Sequence, residues 1–302
     1  MLSKTDRFEA ARPQLLGLAY RLLGSPSDAQ DAVQDTYVKW ITHAQEVDVP
    51  AAWLSRVCTN RCLDVLKSAH RRRVDYVGQW IPEQIQTEFE APVEDQLEMA
   101  SSLTTAFLLL LERLTPKERA AYLLHDVFSM PFDEVADILD MQPANCRKLA
   151  TRARGYVEKN NVRHVPGPER QADLLHAFQA ALRTGDVDEL SAMLRTDADL
   201  RADSGGKVVA VRDVLQGQDV ICGFIGDVLA RAWSGLRVTE QMINGTSGLL
   251  IGERSELHAA ISFGYDAKGQ VQNVFIMRDP DKLAQFSLSK VLVSGSGQLT
   301  LH

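Results

Sequence analysis

Asn145, Arg147, Lys148, Thr151 and Arg152 share one side of a helical pattern whose other side is Cys146, Leu149, Ala150 and Ala153. Cations and an amide at that spacing can neutralise phosphates and reach base edges in a major groove, where one good bidentate contact discriminates by roughly 1–3 kcal/mol. Arg56, Asn60, Arg61, Lys67, Arg71, Arg72 and Arg73 form a second basic set, on a helical pattern that also carries Trp53. Cations interleaved with an aromatic ring suit a single-stranded or melted nucleic acid, because phosphates meet the charges and bases stack on the ring. Asp28, Asp31 and Asp35 form a third set, on one polar face. No histidine and no second carboxylate cluster lies near them in sequence, so they read as a solvated or protein-docking face rather than an acid–base or metal site. Cys58 and Cys62 stand at helical i,i+4 spacing with only His70 nearby. With Cys146 and Cys222 they read as packing cysteines of a reducing compartment, and no metal or cofactor is expected.

The elements that must hold these residues follow from periodicity. In residues 131–154, Val135, Ile138 and Leu139 fall on one face, and Pro143 breaks the run because proline fits a first helical turn better than an interior. A short apolar helix, a tight turn and a basic helix read as a helix-turn-helix. Upstream, residues 8–41 read as two helices, the second with Ala29, Ala32, Val33, Thr36, Tyr37 and Trp40 inward. Gly24 sits at the C-cap of the first, and Ser27 or Asp28 can cap the second. Residues 51–73 form the Trp53-containing basic helix. Residues 74–96 lack an apolar period and read as a linker, although Trp80-Ile81-Pro82 needs a surface to dock on. The helical pattern resumes at Leu97, and Thr115-Pro116-Lys117-Glu118 has the form of a capping box with proline in the first turn.

The chain has 302 residues, enough for two or three domains that each bury a core. A formal net charge of −7 argues against a protein that coats nucleic acid unaided, so any DNA contact must be local. No N-terminal signal pattern and no membrane-length apolar run appears, and a cytoplasmic location is expected.

In order along the chain, three stretches resemble a sigma factor of the extracytoplasmic-function type. They are LLGLAYRLLGSPSDAQDAVQDTYVKW, AAWLSRVCTNRCLDVLKSAHRRR and LTPKERAAYLLHDVFSMPFDEVADILDMQPANCRKLATRAR. The first two are similar to sigma region 2 and the third to region 4, with Asp140 where glycine is common in the turn and Gln142 where a serine cap is usual. The resemblance implies two all-α domains, residues 1–73 and 97–160, joined by the linker 74–96. It implies docking on the clamp and flap of bacterial core RNA polymerase through Asp28, Asp31, Asp35 and Trp40. It also implies reading of the minus-ten element by Arg56, Asn60, Arg61, Lys67 and Arg71, and of the minus-thirty-five element by Asn145, Arg147, Lys148, Thr151 and Arg152.

After a second linker, residues 161–170, the pattern changes. Helices come first, then strand-like runs at 208–211, 236–243, 248–253, 256–265 and 271–277, with a turn at 266–269. That order implies an α+β cone over 171–290, a curved antiparallel sheet wrapped on helices, followed by a flexible tail 291–302. The cone resembles the SnoaL-like branch of the nuclear-transport-factor-like fold, which hosts enzymes, ligand binders and purely associative domains alike. Asp203, Arg212, Asp213, Glu240, His258 and Asp266 are its candidate polar groups, but no pair has a spacing that forces proximity, and no catalytic residue is assigned. Asp203-Ser204-Gly205-Gly206-Lys207, Asp279-Pro280-Asp281-Lys282 and Trp80-Ile81-Pro82 resemble three motifs of sigma factors carrying this extra domain. The resemblance implies that Trp80, Ile81, Pro82, Asp203, Gly205, Gly206, Lys207, Asp279, Pro280, Asp281 and Lys282 form an interdomain regulatory contact, open to a small ligand or partner of the cone. A ligand-gated helix-turn-helix regulator and a SnoaL-like small-molecule enzyme fused to a DNA-binding domain are the alternatives. Neither gives the acidic helix or the Trp53 helix a task.

Overall fold

The computed structural model describes residues 3–74, 76, 78–89, 97, 99–160, 162–254, 256–287, 290–293 and 299–301. Three helices open the chain: α1 (Lys4–Leu23), α2 (Pro26–Thr42) and α3 (Pro50–Val74). Ser3 and Asp6 close a capping box on α1, and Gly24 ends it in the left-handed region at φ 67°. The cap of α2 is Ser25, not Ser27 or Asp28, because Pro26 occupies the first helical position, where a missing N–H costs nothing. Leu15, Leu18, Leu22, Val33, Leu54, Cys58 and Cys62 meet in the core between these helices. Trp40 belongs to that core. It is 2% exposed, its indole N–H donates to the Lys4 carbonyl at 2.8 Å, and its ring lies 5.3 Å from that of Trp53.

The second helical domain contains α4 (Thr105–Leu111), α5 (Pro116–Tyr122, continued by a wider turn over Leu123–Val127), α6 (Phe132–Leu139) and α7 (Pro143–Asn160). Thr115 and Glu118 form the expected capping box. Asp140 takes the left-handed conformation at φ 51° that closes α6, a position aspartate tolerates better than most side chains. The helix-turn-helix therefore forms without the usual glycine.

The cone begins with α8 (Pro168–Thr184) and α9 (Asp188–Met193), then β2 (Leu194–Asp203) and β3 (Leu215–Gln216). Next come α10 (Gln218–Gly223, continued to Ala232), β4 (Arg237–Ile243), β5 (Thr246–Glu253), β6 (Glu256–Tyr265), β7 (Val271–Met277) and a turn of helix, α11 (Pro280–Leu283). With β1 (Gln86–Phe89), β8 (Lys290–Val293) and β9 (Leu299–Leu301), the sheet order is β3-β2-β7-β6-β5-β4-β1-β8-β9. It is mixed rather than antiparallel throughout, since β2 runs parallel to β7 and β1 parallel to β8.

Both faces of this sheet are buried, which explains its nearly continuous apolar strands. Leu249, Ile251, Ala259, Ile261, Phe263, Val274 and Ile276 face the cone's own helices. The alternate residues Leu250, Ala260, Phe275 and Met277 join one apolar cluster with the two N-terminal helical domains.

Three expectations are corrected here. Residues 208–211 are not a strand; the strand precedes them at Leu194–Asp203, where Asp197, Asp199, Arg201 and Asp203 alternate with Ala198, Leu200 and Ala202. The linker 74–96 contributes β1, inserted between β4 and β8. The expected flexible tail supplies most of β8 and all of β9, consistent with the β-branched and leucine-rich runs there.

Candidate nucleic-acid interface and interdomain clasp

On α7 the structure places Asn145, Arg147, Lys148, Thr151 and Arg152 together on the exposed face, with Cys146, Ala150, Ala153 and Val157 buried opposite. The Arg147 guanidinium lies 5.5 Å from the Phe132 ring centroid, which orients it across the turn. Arg154, on the same helix, is held instead: its Nε donates to Asp126 Oδ1 at 2.6 Å. On α3, Arg56, Asn60 and Lys67 are exposed, Lys67 pairing with Asp64 one turn back. Arg61 meets Asp35 of α2 at 2.6 Å, so two residues expected on different partner surfaces form one strut between helices. The side chains of Arg71, Arg72 and Arg73 lie outside the described residues. Asp28 is half-buried and Asp31 exposed, whereas Trp40, expected on the docking surface, is a core residue for the reasons given above.

The two helical domains are locked by buried arginines. Arg21 of α1 donates to the Gly17 carbonyl at 3.0 Å and, from Nε, to the Ser102 carbonyl at 3.2 Å. Arg119 of α5 donates to the Leu22 carbonyl at 2.6 Å and to Glu112 at 2.8 Å. Burial pushes each guanidinium down to about 9, which leaves both charged at neutral pH and dependent on these acceptors.

The regulatory candidates converge on one point. Lys282 Nζ donates to Asp203 Oδ2 and to the Ile81 carbonyl, each at 2.7 Å, and lies 4.9 Å from the Trp80 ring centroid and 5.1 Å from that of Tyr76. Asp203, fully buried, also accepts from the Ile81 amide at 2.8 Å and from the Tyr76 hydroxyl at 2.6 Å. Lys207 bridges Asp279 at 2.8 Å and Asp281 at 2.6 Å, and Asp279 caps α11. Burial pushes the Lys282 ammonium below the ordinary lysine range, with Asp203 opposing the shift. Burial pushes the Asp279 carboxyl up, but Lys207, the Asp281 amide and Lys282 together more than compensate and its pKa ends below the usual value. A Cβ on Gly205 would come within 2.7 Å of Asp279 Cγ, and Gly205 has φ 58°, so glycine is required twice over. Pro280 opens α11 at its first position. Ile81 is fully buried, a contribution of roughly 1.5–3 kcal/mol for such a side chain.

Sequence reasoning missed a second clasp. Asn244, at the β4–β5 turn, accepts at Oδ1 from the Ile85 amide at 2.7 Å and from the Tyr20 hydroxyl at 3.2 Å. Tyr20 also donates to the Glu83 carbonyl at 2.8 Å, so α1, the linker and the cone meet at one phenol. Gln84 donates to Ser262 at 2.6 Å and Glu83 N–H to the Gly24 carbonyl at 2.8 Å. The Asn244-Gly245 pair signals a tight hairpin in sequence. What that hairpin touches has no such signal. The cone's other polar groups stay apart: Asp266 is satisfied by Arg195 and its own turn, Glu240 by Gln179, and Arg212 touches Gln79 through its carbonyl. Asp213 is exposed, and His258 contributes a carbonyl to Arg278. No set of three or more potential metal ligands gathers among the described residues, and none of the helices is long and apolar enough to cross a membrane.

An exposed basic helix-turn-helix, a separate basic helix and a cone gripping their connection define a multidomain DNA-binding regulator. Residues 7–72 match the family model Sigma-70 region 2, and residues 104–156 match Sigma-70, region 4. The extracytoplasmic-function (ECF) RNA polymerase sigma factor SigJ of Mycobacterium tuberculosis is 35% identical over 252 residues, 81% of this chain and 80% of that protein. The probable ECF sigma factor SigI of the same species is 27% identical over 281 residues, 91% of this chain and 93% of that protein. The crystal structure of SigJ superposes with a TM-score of 0.69 at 28% identity, covering 93% of this chain and 99% of that one. The chain belongs to the ECF RNA polymerase sigma factors, and its C-terminal cone is the SnoaL-like domain that the sequence motifs imply.

Proposed function

We propose that this sigma factor binds core RNA polymerase, recognises minus-ten and minus-thirty-five elements through α3 and α7, and is restrained by its own cone. The grip of Lys282 and Asp203 on the Ile81 backbone carries the reading, because it ties the linker between the two DNA-reading domains to the C-terminal domain. Geometry supplies the need for release. Elements some 25 base pairs apart lie roughly 85 Å apart along B-DNA at about 3.4 Å per base pair. In the closed chain α3 packs directly on α6, so the two readers cannot span that distance together. Engagement then requires opening, and the clasp opposes it by stabilising the closed state. Polymerase contact falls to the acidic side of α2 at the exposed Asp31 and the half-buried Asp28, with Asp35 shared with Arg61.

Run-off transcription with bacterial core polymerase tests the reading, comparing the full chain with one ended near residue 161. Transcription by either form supports the sigma role, and higher output from the shorter form supports restraint. Lower output from the shorter form would reverse the role of the cone. Promoter binding by the full chain alone, with no core binding, would favour a ligand-gated repressor.

A further inference from the structure

A cleft of about 250 Å³ lies between the helix-turn-helix domain and the cone, and its lining reaches Arg201, two residues before Asp203 of the clasp. Leu110 and Phe275 give it a buried apolar floor. Arg113 and Tyr156 stand on its helical side, and Gln272 with the Asp199–Arg201 pair on its sheet side. Asp199 is answered by Arg201 through two parallel contacts of 3.2 Å, so that pair is neutral. Arg113 is exposed and pairs with no carboxylate among the described residues, which leaves one net positive charge on the cleft. The Gln272 amide oxygen is out of solvent and accepts no hydrogen bond, a rare and costly condition for a buried acceptor.

An unpaired guanidinium calls for a carboxylate, which matches its fork. The orphaned amide oxygen calls for a hydroxyl or N–H donor. The apolar floor of Leu110 and Phe275, with Tyr156 also in the lining, calls for a flat hydrocarbon body. We propose that this cleft binds a small aromatic hydroxy-carboxylate, its carboxylate on Arg113, its ring over Leu110 and Phe275, and its hydroxyl donating to Gln272 Oε1 once that side chain, whose oxygen is otherwise out of solvent, turns into the cleft. The walls come from two domains, so the ligand binds the closed chain and is lost when the domains part. By linkage it stabilises closure by RT ln(1 + c/Kd), which grows with the logarithm of the ligand concentration c. That consequence rests on the restraint proposed above; the site itself does not.

Isothermal titration of the full chain with para-hydroxyphenylacetate, phenylacetate and para-hydroxyphenylacetamide tests the site. The first should bind saturably, and the other two about tenfold or more weaker, because each lacks one of the two polar anchors. Arg113→Ala should remove the advantage of the carboxylate, and Gln272→Leu the advantage of the hydroxyl. Either variant retaining full discrimination, or no saturation by para-hydroxyphenylacetate up to about 10 mM, overturns the assignment. Run-off transcription with the same compound separates the two readings. Binding that depends on Arg113 and Gln272 but leaves transcription unchanged keeps the site and removes the restraint.

Discussion

The Lys282 ammonium and the Asp203 carboxylate face each other at 2.7 Å, 9% and 0% exposed at the side chain, and both also bind the backbone of Ile81. Three partners in a dry site make this pair intolerant of one-sided loss. Lys282→Ala leaves the Asp203 carboxyl buried without its cation, and breaking a buried pair this way costs about 3–5 kcal/mol. Both partners belong to the cone, so part of the cost falls on the cone itself, and the closed arrangement loses in addition the Lys282 hydrogen bond to the Ile81 carbonyl of the linker. Lys282→Ala should therefore raise run-off transcription and speed proteolysis within residues 74–96. Unchanged output with an intact linker would show that the pair is structural only.

Gly205 offers a milder entry to the same contact. Alanine there adds a Cβ at a left-handed φ of 58°, against the Asp279 carboxyl that Lys207 holds. The conformational part alone costs about 1–2 kcal/mol. Gly205→Ala should lower the thermal midpoint of the full chain by a few degrees. A chain ended near residue 161 provides the baseline, since it lacks this loop.

The helical domains were legible because their signals are local. Thr115 and Glu118, Gly24 and Pro143 each mark a boundary by their own chemistry, and the exposed face of α7 follows from spacing alone. The cap of α2 is Ser25, two or three residues before the expected Ser27 or Asp28, because Pro26 takes the first helical position. The β2 strand was legible and missed: its charges alternate with Ala198, Leu200 and Ala202, which is strand period, yet aspartates and arginines read as loop. Asp199 and Arg201 line the cleft toward the helical domains and Asp203 meets the linker, with Arg201 and Lys282 neutralising the two carboxylates, while Asp197 stays exposed on Arg195. The insertion of β1 between β4 and β8 had no local signal at all, because four residues of linker acquire strand geometry only from edges more than 150 positions away. Trp40 shows the opposite case, where periodicity placed it inward correctly and the family analogy drew it to the surface.

The Asn244 clasp holds the linker at Ile85, four residues beyond the Ile81 held by the Lys282 clasp. Asn244→Ala leaves the Ile85 amide without its acceptor, a loss of about 1–3 kcal/mol at a buried site. Hydrogen exchange at Ile85 should accelerate roughly tenfold or more, while amides of the α1–α3 core stay protected. Tyr20→Phe should accelerate it less, because the phenol touches Asn244 only at 3.2 Å and keeps no contact with the Ile85 amide. Equal protection in wild type and Asn244→Ala would mean that β1 is held by its strand neighbours alone.

Arg152 and Arg154 lie two positions apart on α7, and the structure assigns them opposite tasks. Arg152 is exposed with no described partner, whereas Arg154 is spent on Asp126, whose other oxygen already lacks a hydrogen bond. Arg152→Ala should weaken promoter binding of the holoenzyme and reduce its salt dependence by about one phosphate contact. The same change should leave folding stability within about 0.5 kcal/mol, as for most surface substitutions. Arg154→Ala should instead leave the DNA slope unchanged and destabilise the helical domain. The loss should stay at the low end of 1–3 kcal/mol, because the Arg154 side chain is 40% exposed and water partly replaces it. Anisotropy titrations at several salt concentrations, paired with thermal melts, read both quantities on the same samples. If Arg154→Ala lost DNA binding as Arg152→Ala does, without a change in melting, the DNA-reading face would extend one helical turn further than the exposed residues indicate.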